Sequence, residues 1–151
     1  MRILVAAIGR ARAGPHLALE RFYAERLVWK VTLTELEEKR RLPAAELREK
    51  EGALLLGRLP PGAAAVALDE RGQSLSSVRF AETLGAFEAD GREIAFLIGG
   101  ADGHSEAVRR KADLLLSFGA MTWPHLLVRG MLFEQLYRAQ QILAGHPYHR
   151  E

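Results

Sequence analysis

Residues 117–138, which read SFGAMTWPHLLVRGMLFEQLYR, decide how the rest of the chain must be organised. The stretch begins at the end of an apolar run, passes through a tight loop and becomes a helix that we expect to reach about Ala144. Pro124 suits the first helical turn, because the N–H that proline lacks would have no partner there. Thr122 is placed to cap that turn. Such a loop leaves backbone N–H and C=O groups without partners, so it predicts a ligand site.

The predicted helix carries charged residues between its apolar ones. Arg129, Glu134 and Arg138 are interleaved with the apolar side, and the spacing of the last two favours a surface ion pair at i,i+4. The apolar side is formed by Leu126, Leu127, Phe133, Leu136, Tyr137 and Leu143. This apolar side is larger than one small sheet face needs, so we expect it to contact a second copy of the chain.

The chain ends in HPYHRE, residues 146–151, which bring two imidazoles, a phenol and a guanidinium together. His146 and His149 have a spacing that a metal could use, but no third ligand is evident, so we predict no metal site. A terminus of six residues adds little to a core. We therefore expect it to act on a substrate, and we expect truncation after Gly145 to cost little stability.

Composition places the chain among ordinary globular domains. It has 151 residues, 48% hydrophobic and 26% charged, which fits a single domain over residues 1–151. It has no cysteine, which excludes disulfides and thiolate chemistry. The apolar start is too short for a signal segment, and no apolar run approaches the roughly 18 residues of a membrane span. We expect a cytoplasmic protein that makes no membrane contact.

The charge balance alone does not identify a partner. Lysine and arginine number 21 against 19 acidic residues, for a net charge of +2. Seventeen of the basic residues are arginine, the side chain that grips phosphate in a bidentate fork. A net charge of +2 is nearly neutral, however, and the arginine bias is also compatible with genome composition.

Strand and helix patterns alternate along the whole chain. We predict strands over 2–8, 28–33, 63–68, 94–98 and 114–117, and helices over 15–27, 43–56, 76–89, 105–111 and 124–144. The charged run ELEEKRR, residues 35–41, is predicted to be a solvated loop. The alternation is typical of an α/β fold with a mostly parallel sheet flanked by helices.

Ligands of open parallel sheets lie beyond the carboxyl ends of the strands. Three loops are predicted there, at 69–72, 99–103 and 119–123, and the glycines of the second allow close backbone approach to an anion. The sequence GGADG at 99–103 is neither a P-loop nor a dinucleotide fingerprint. No serine has a nucleophile-elbow setting. The residues alone thus predict a ligand-binding edge without naming a reaction.

Six motifs together resemble the small SPOUT-class methyltransferases that act on 23S ribosomal RNA. They are VALDERG at 66–72, LIGG at 97–100, MTWPH at 121–125, LVR at 127–129, EQLYRA at 134–139 and HPYHRE at 146–151. The resemblance implies methyl transfer from S-adenosyl-L-methionine to N3 of a pseudouridine in the ribosome. It also implies a C-terminal trefoil knot, which general folding rules exclude, and a homodimer with the knot helices at its interface.

The resemblance assigns residues to two roles. Those implied to hold the cofactor, largely through backbone groups, are Leu68, Gly99, Phe118, Gly119, Ala120, Met121, Thr122 and Trp123. Those implied to act on the RNA or on the developing anion are Arg138, Tyr148, His149 and Arg150. Gly119 and Trp123 depart from the family, whose members often carry a polar residue and a smaller apolar residue there.

Two other classes of protein compete with this interpretation. A non-catalytic nucleotide- or RNA-binding α/β module would share the fold, but a receiver-like module needs an acidic pair after its first strand, which this chain lacks. A structural ribosomal protein would be expected to carry more positive charge than +2. Binding of S-adenosylmethionine separates the enzyme from both alternatives.

Overall fold

Strands and helices alternate in the computed structural model, which describes residues 1–148. Within that range the elements are β1 (Arg2–Ile8), α1 (Pro15–Ala24), β2 (Lys30–Leu36), α2 (Ala44–Leu56), β3 (Ala64–Ser74), α3 (Ser77–Ala89), β4 (Ile94–Ile98), α4 (Glu106–Lys111), β5 (Leu114–Ser117) and α5 (His125–Leu143).

The strands form one sheet in the order β2-β1-β4-β3-β5, and every neighbouring pair is parallel. The predicted α/β class, a mostly parallel sheet flanked by helices, is therefore confirmed. Because the strands are parallel, their carboxyl ends share one edge, which we call the carboxyl edge. The trefoil knot stays a prediction.

Helices cover both faces of the sheet. Alternate residues of a strand point to opposite faces, so in β1 Val5 contributes to one core cluster and Ala6 to the other. The larger cluster packs against α3 and α5, and α1 lies against α5. The smaller cluster includes Leu55 of α2 and Val108 of α4. The fully buried β4, with all five residues inaccessible, fits the centre of such a sheet.

The predicted boundaries of β2 were wrong at both ends. The strand runs Lys30–Leu36, so Glu35 belongs to β2 and not to a solvated loop. Its carboxylate can lie in the strand because Arg129 of α5 donates a hydrogen bond to it at 2.7 Å. Before the strand, the N–H groups of Val28 and Trp29 donate to the side chain of Gln140.

The predicted loop at 69–72 was also wrong, because β3 continues to Ser74. Its pairing with β5 shifts register between Leu68 and Gln73. Gly72 allows this close approach, since a Cβ there would lie 2.5 Å from the carbonyl group of Leu115. The polar sequence that indicated a turn instead marks an irregular strand beside the cavity described below.

Candidate functional site

A cavity of about 850 Å³ opens at the carboxyl edge over β3, β4 and β5. This volume lies within the range of small-molecule sites. Its walls come from the end of β3, the loop at 99–103 and the loop at 118–124, together with His125 and Val128 of α5. The prediction of a ligand-binding edge thus coincides with a cavity.

Seven of the eight residues predicted to hold the cofactor line this cavity. They are Leu68, Gly99, Phe118, Gly119, Met121, Thr122 and Trp123. Ala120 belongs to the same loop but is not part of the lining. Four of these seven are far apart in sequence from Leu68 and Gly99, so the fold and not local sequence brings them together.

The loop at 118–124 is braced by short hydrogen bonds. The Ser117 hydroxyl donates to the Gly119 carbonyl at 2.9 Å and accepts from the Gly119 N–H at 3.1 Å. Gly119 has φ of +114°, a conformation that favours glycine. Met121 and Trp123 are 73% and 40% exposed, so two apolar side chains stand at the cavity mouth.

Thr122 does not cap α5, contrary to the prediction. Pro124 is itself the N-cap, and no side chain caps the helix. The first N–H groups of α5 are therefore free of a side-chain acceptor from the described residues, next to the cavity. This is the kind of helix start that accepts an anionic or carbonyl group.

The loop at 99–103 folds back on itself. Gly100 and Gly103 form an isolated bridge, and Gly103 has φ of +78°. A Cβ at Gly99 would lie 3.2 Å from the Gly103 carbonyl oxygen and from His104 Nδ1. A side chain at Gly99 would thus push against the loop itself, not directly against a ligand as we expected from the sequence.

His104 lies under this loop and is only 3% exposed. Its Nε2 lies 3.2 Å from the Leu97 carbonyl oxygen, and its Nδ1 has no partner among residues 1–148. Burial lowers the pKa of His104 despite the nearby Asp69 carboxylate. The imidazole is therefore neutral at physiological pH.

Asp69 joins β3 to α4 at the cavity wall. Burial alone would raise its pKa, but hydrogen bonds from Arg109 at 2.7 Å and from the Arg71 N–H outweigh burial and lower it. Asp69 is therefore an ionised structural partner of Arg109, a role that leaves it unsuited to act as a base.

Glu51 of α2 brings an unpaired carboxyl group up to the same loop. The residue is 8% exposed, and its Oε1 has no hydrogen-bond partner in the described part of the chain. A Cβ on Gly100 would lie 3.0 Å from its Oε2. Burial, and then the charges of Asp102 and Glu38, raise the pKa of Glu51.

Arg129 ties the start of α5 to β1 and β2. Its side chain is fully buried and donates to the Gly9 carbonyl at 2.6 Å and to Glu35 at 2.7 Å. Burial opposes ionisation of Glu35, but the bond from Arg129 prevails and lowers its pKa. Glu20 lies 3.9 Å from the same guanidinium, and burial raises the pKa of Glu20.

His125 is the side chain of this network that reaches the cavity. Its Nε2 would lie 3.0 Å from a Cβ on Gly9, so the imidazole packs against the loop after β1. Burial, followed by the charge of Arg129, lowers its pKa. Sequence reasoning quoted His125 only as part of a motif.

A second polar cluster lies near the other end of α5. Arg138 donates to Glu134 from Nε at 3.0 Å and from Nη2 at 2.5 Å, and the Tyr148 hydroxyl donates to the same carboxylate at 3.3 Å. The guanidinium lies 5.0 Å from the centre of the Tyr148 ring. The predicted i,i+4 pair is present, but its side chains are only 26% and 18% exposed.

Tyr148 packs on the fold more than we expected of the terminus. Its ring meets that of Tyr137 edge-on, with centroids 4.7 Å apart. Burial, a hydrogen bond with Tyr23 and the charge of Glu134 raise the pKa of Tyr148 to about 12. The phenol is thus a hydrogen-bond donor at neutral pH, and it cannot serve as a base there.

Of the four residues predicted to act on the RNA, Arg138 and Tyr148 are together, and neither lines the cavity. Thirteen residues of helix separate His125 from Arg138, which corresponds to about 20 Å along the axis. His149 and Arg150 lie outside the described residues. A single copy of residues 1–148 therefore keeps the cavity and this cluster apart.

Sequence reasoning missed His104, Glu51 and the buried role of Arg129. Only Arg129 had a usable signal, because it occupies a position on the apolar side of an amphipathic helix. The other two depend on which helix packs beside the loop at 99–103. In residues 1–148, no group of three or more His, Asp or Glu side chains is arranged to hold a metal. None of the helices in that range is long and apolar enough to cross a bilayer.

Comparison with known proteins covers nearly the whole chain. The family model described as "Predicted SPOUT methyltransferase" matches residues 1–149. Relatives named ribosomal RNA large subunit methyltransferase H include those of Rhodospirillum centenum and Paramagnetospirillum magneticum. They are 61% and 57% identical to this chain, with 99% of both sequences aligned in each case.

A solved structure has a similar fold. It is the Legionella pneumophila protein Lpg2936, solved with its bound cofactor SAM. The TM-score is 0.50 at 11% sequence identity, and the match covers 92% of this chain and 66% of that one. At this identity the likeness concerns the fold alone.

Proposed function

The chain belongs to the SPOUT methyltransferase family, and we propose that it methylates N3 of a pseudouridine in the 23S RNA of the large ribosomal subunit. The methyl donor in this proposal is S-adenosyl-L-methionine. The ribosomal RNA substrate is supported by relatives at 54–61% identity that are named ribosomal RNA large subunit methyltransferase H. The choice of N3 of pseudouridine comes from the sequence resemblance.

The observation that carries the proposal is the concentration of seven predicted cofactor residues around one cavity. Its lining fits a ligand with an adenine base and an amino-acid group, because it combines loop backbone with apolar side chains. Glycine at 99, 100 and 103 allows the backbone to approach such a ligand. The apolar Leu68, Phe118 and Trp123 would pack on its uncharged parts.

The bound donor supplies an electrophilic methyl group, so the chain must align a nucleophile and favour its ionised form. N3 of pseudouridine becomes a competent nucleophile when its imide proton is lost. A nearby cation favours the resulting anion. Arg138 suits this role, because its hydrogen bond to Glu134 raises its pKa and keeps it charged. Tyr148 would donate a hydrogen bond or stack on the base.

These residues need a second copy of the chain to reach the methyl donor. Arg138 and Tyr148 do not line the cavity of their own chain, and His149 and Arg150 follow them directly in sequence. We propose a homodimer in which the C-terminal cluster of one copy faces the cavity of the other. The half-exposed Phe22 and Leu143, on α1 and α5, give that contact apolar surface.

The proposed protein is a single SPOUT domain over residues 1–151 that acts in the cytoplasm, where ribosomes are found. The competing function is a non-catalytic nucleotide- or RNA-binding module. The deciding experiment incubates the protein with methyl-labelled S-adenosylmethionine and large ribosomal subunits that lack the modification. Labelled N3-methylpseudouridine in the digested RNA is the expected product. Cofactor binding by titration calorimetry without any transfer would favour the non-catalytic module.

A further inference from the structure

The carboxyl edge of the sheet is divided into two halves. The cavity lies over β4, β3 and β5, whereas the loops that follow β1 and β2, residues 9–14 and 37–43, lie over the other half. These two loops carry five exposed basic side chains, which we call the basic edge: Arg10, Arg12, Lys39, Arg40 and Arg41.

The positive charge of the whole chain is concentrated on this basic edge. The two loops contain five basic residues and two acidic ones, Glu37 and Glu38. The rest of the chain then holds 16 basic and 17 acidic residues out of the totals of 21 and 19. The nearly neutral net charge therefore conceals one positive region beside the cavity.

The acidic residues of the two loops neutralise the basic edge only weakly. Arg10 lies 3.4 Å from Glu37, but the side chains are 66% and 46% exposed. Arg40 bonds to Glu38 at 2.8 Å while remaining 63% exposed. Exposed pairs of this kind are readily exchanged for another anion. Among residues 1–148, Arg12, Lys39 and Arg41 form no ion pair.

The fold holds the loop at 9–14 from behind. The Gly9 N–H donates to the Leu36 carbonyl at 2.8 Å, and the Ala11 N–H donates to Glu35 at 2.6 Å. Arg129 donates to the Gly9 carbonyl. The loop after β1 is thus fixed to β2 and to the helix that forms one cavity wall, while its arginines point away from this support into solvent.

We propose that the basic edge binds backbone phosphates of the RNA that flank the target nucleotide. This inference rests on the proposed function, since it names how the substrate is held at that site. Neighbouring strands lie about 4.8 Å apart, so the basic edge begins one strand from β4 and its glycine loop. Arginine matches phosphate geometry, and phosphate contacts position a nucleic acid without reading its sequence.

The test compares two variants with the same loss of charge. One removes part of the basic edge (K39Q/R40Q/R41Q). The other removes three exposed basic residues at the opposite edge of the sheet (R58Q/R110Q/K111Q). A further variant, R10Q/R12Q, tests the loop after β1. Each is assayed for KM with unmodified large ribosomal subunits, for subunit binding by cosedimentation across a salt series, and for S-adenosylmethionine affinity by calorimetry.

Both basic-edge variants should raise KM for the subunit roughly tenfold or more and flatten its salt dependence, because fewer counterions are displaced on binding. Cofactor affinity and the opposite-edge variant should match wild type. Equal KM values and salt slopes in K39Q/R40Q/R41Q and R58Q/R110Q/K111Q would overturn the inference. If the wild type itself transferred no methyl group, the proposed function would fail, and cosedimentation alone would still decide whether the basic edge binds ribosomal RNA.

Discussion

The two ends of α5 are built on opposite principles. At its start, beside the cavity, three buried polar atoms have no hydrogen-bond partner among the described residues: Glu51 Oε1, His104 Nδ1 and Arg129 Nε. Near its other end, Glu134 accepts bonds from Gln135, Arg138 and Tyr148. One end has space and unused bonding capacity, whereas the other has a closed set of bonds and no cavity.

This difference indicates a division of labour between binding and chemistry. Unpaired buried groups are costly in a folded protein, and they are expected mainly where a ligand or a function compensates for them. The closed cluster instead holds a cation and a phenol in a fixed geometry, which is what stabilisation of a developing anion requires. About 20 Å of helix separates the two, so the comparison itself points to two cooperating copies.

Removal of residues 146–151 should have the largest effect on this comparison. Truncation after Gly145 deletes Tyr148 and the untested His149 and Arg150, and we expect methylation of ribosomal subunits to become undetectable while cofactor affinity is retained. Because the contacts of Tyr148 with Tyr137 and Glu134 are lost, the melting temperature should fall by about 4–8 °C. Full activity in the truncated protein would show that the terminus takes no part in the reaction.

Arg138→Ala should lower kcat by about 10²-fold, the scale of one lost electrostatic contact in a transition state. The affinity for S-adenosylmethionine should not change, because Arg138 lies away from the cavity. Arg26→Ala is a suitable control, since Arg26 is an exposed arginine that likewise stacks on an aromatic ring. A variant with wild-type kcat would remove Arg138 from the site.

Substitution of Gly99 tests the opposite end. A side chain there presses on Gly103 and His104, so Gly99→Val should displace the loop and weaken cofactor binding by about tenfold or more. Gly99→Ala should have a smaller effect of the same sign. Calorimetry with S-adenosylmethionine measures both, and circular dichroism checks the fold. Unchanged affinity in the folded valine variant would place the cofactor elsewhere.

Glu51→Gln should give the smallest effect, a gain in stability. Burial raises the pKa of Glu51, so its favourable protonated form is fully present only below the unfolded pKa of about 4.3. That contribution is lost as pH rises through the higher folded pKa. Glutamine has no charge to bury, so the variant should melt about 2–4 °C higher at pH 7. The difference should disappear near pH 4, and an equal difference at both values would contradict the assignment.

The sequence predicted the fold class because strand and helix periodicities are local properties. It failed where a tertiary contact overrides local polarity: Glu35 joins β2 because Arg129 neutralises it, and 69–72 stays in β3 because Gly72 lets β5 approach. The bend at Gly119 and the cap at Ser105 follow from residue type alone, and the structure has both.

The candidate site was only partly accessible to sequence reasoning. The cofactor residues came from motif resemblance, and seven of them meet at the cavity. Glu51 and His104 carry no local signal, because only the packing of α2 and α4 against the glycine loop makes them unusual. The distance between Arg138 and the cavity likewise follows from the length and placement of α5, which no single motif encodes.

The most direct test of the central claim is complementation between two inactive variants. Arg138→Ala keeps the cavity and Gly99→Val keeps the C-terminal cluster, so a mixed dimer contains one site with both parts intact. When the differently tagged variants are unfolded, mixed and refolded together, about half of the dimers should be mixed. We predict recovery of roughly a quarter of wild-type methylation of ribosomal subunits, since one site in each mixed dimer is complete. Mixed dimers that copurify through both tags but stay as inactive as their parents would contradict a site shared between two copies.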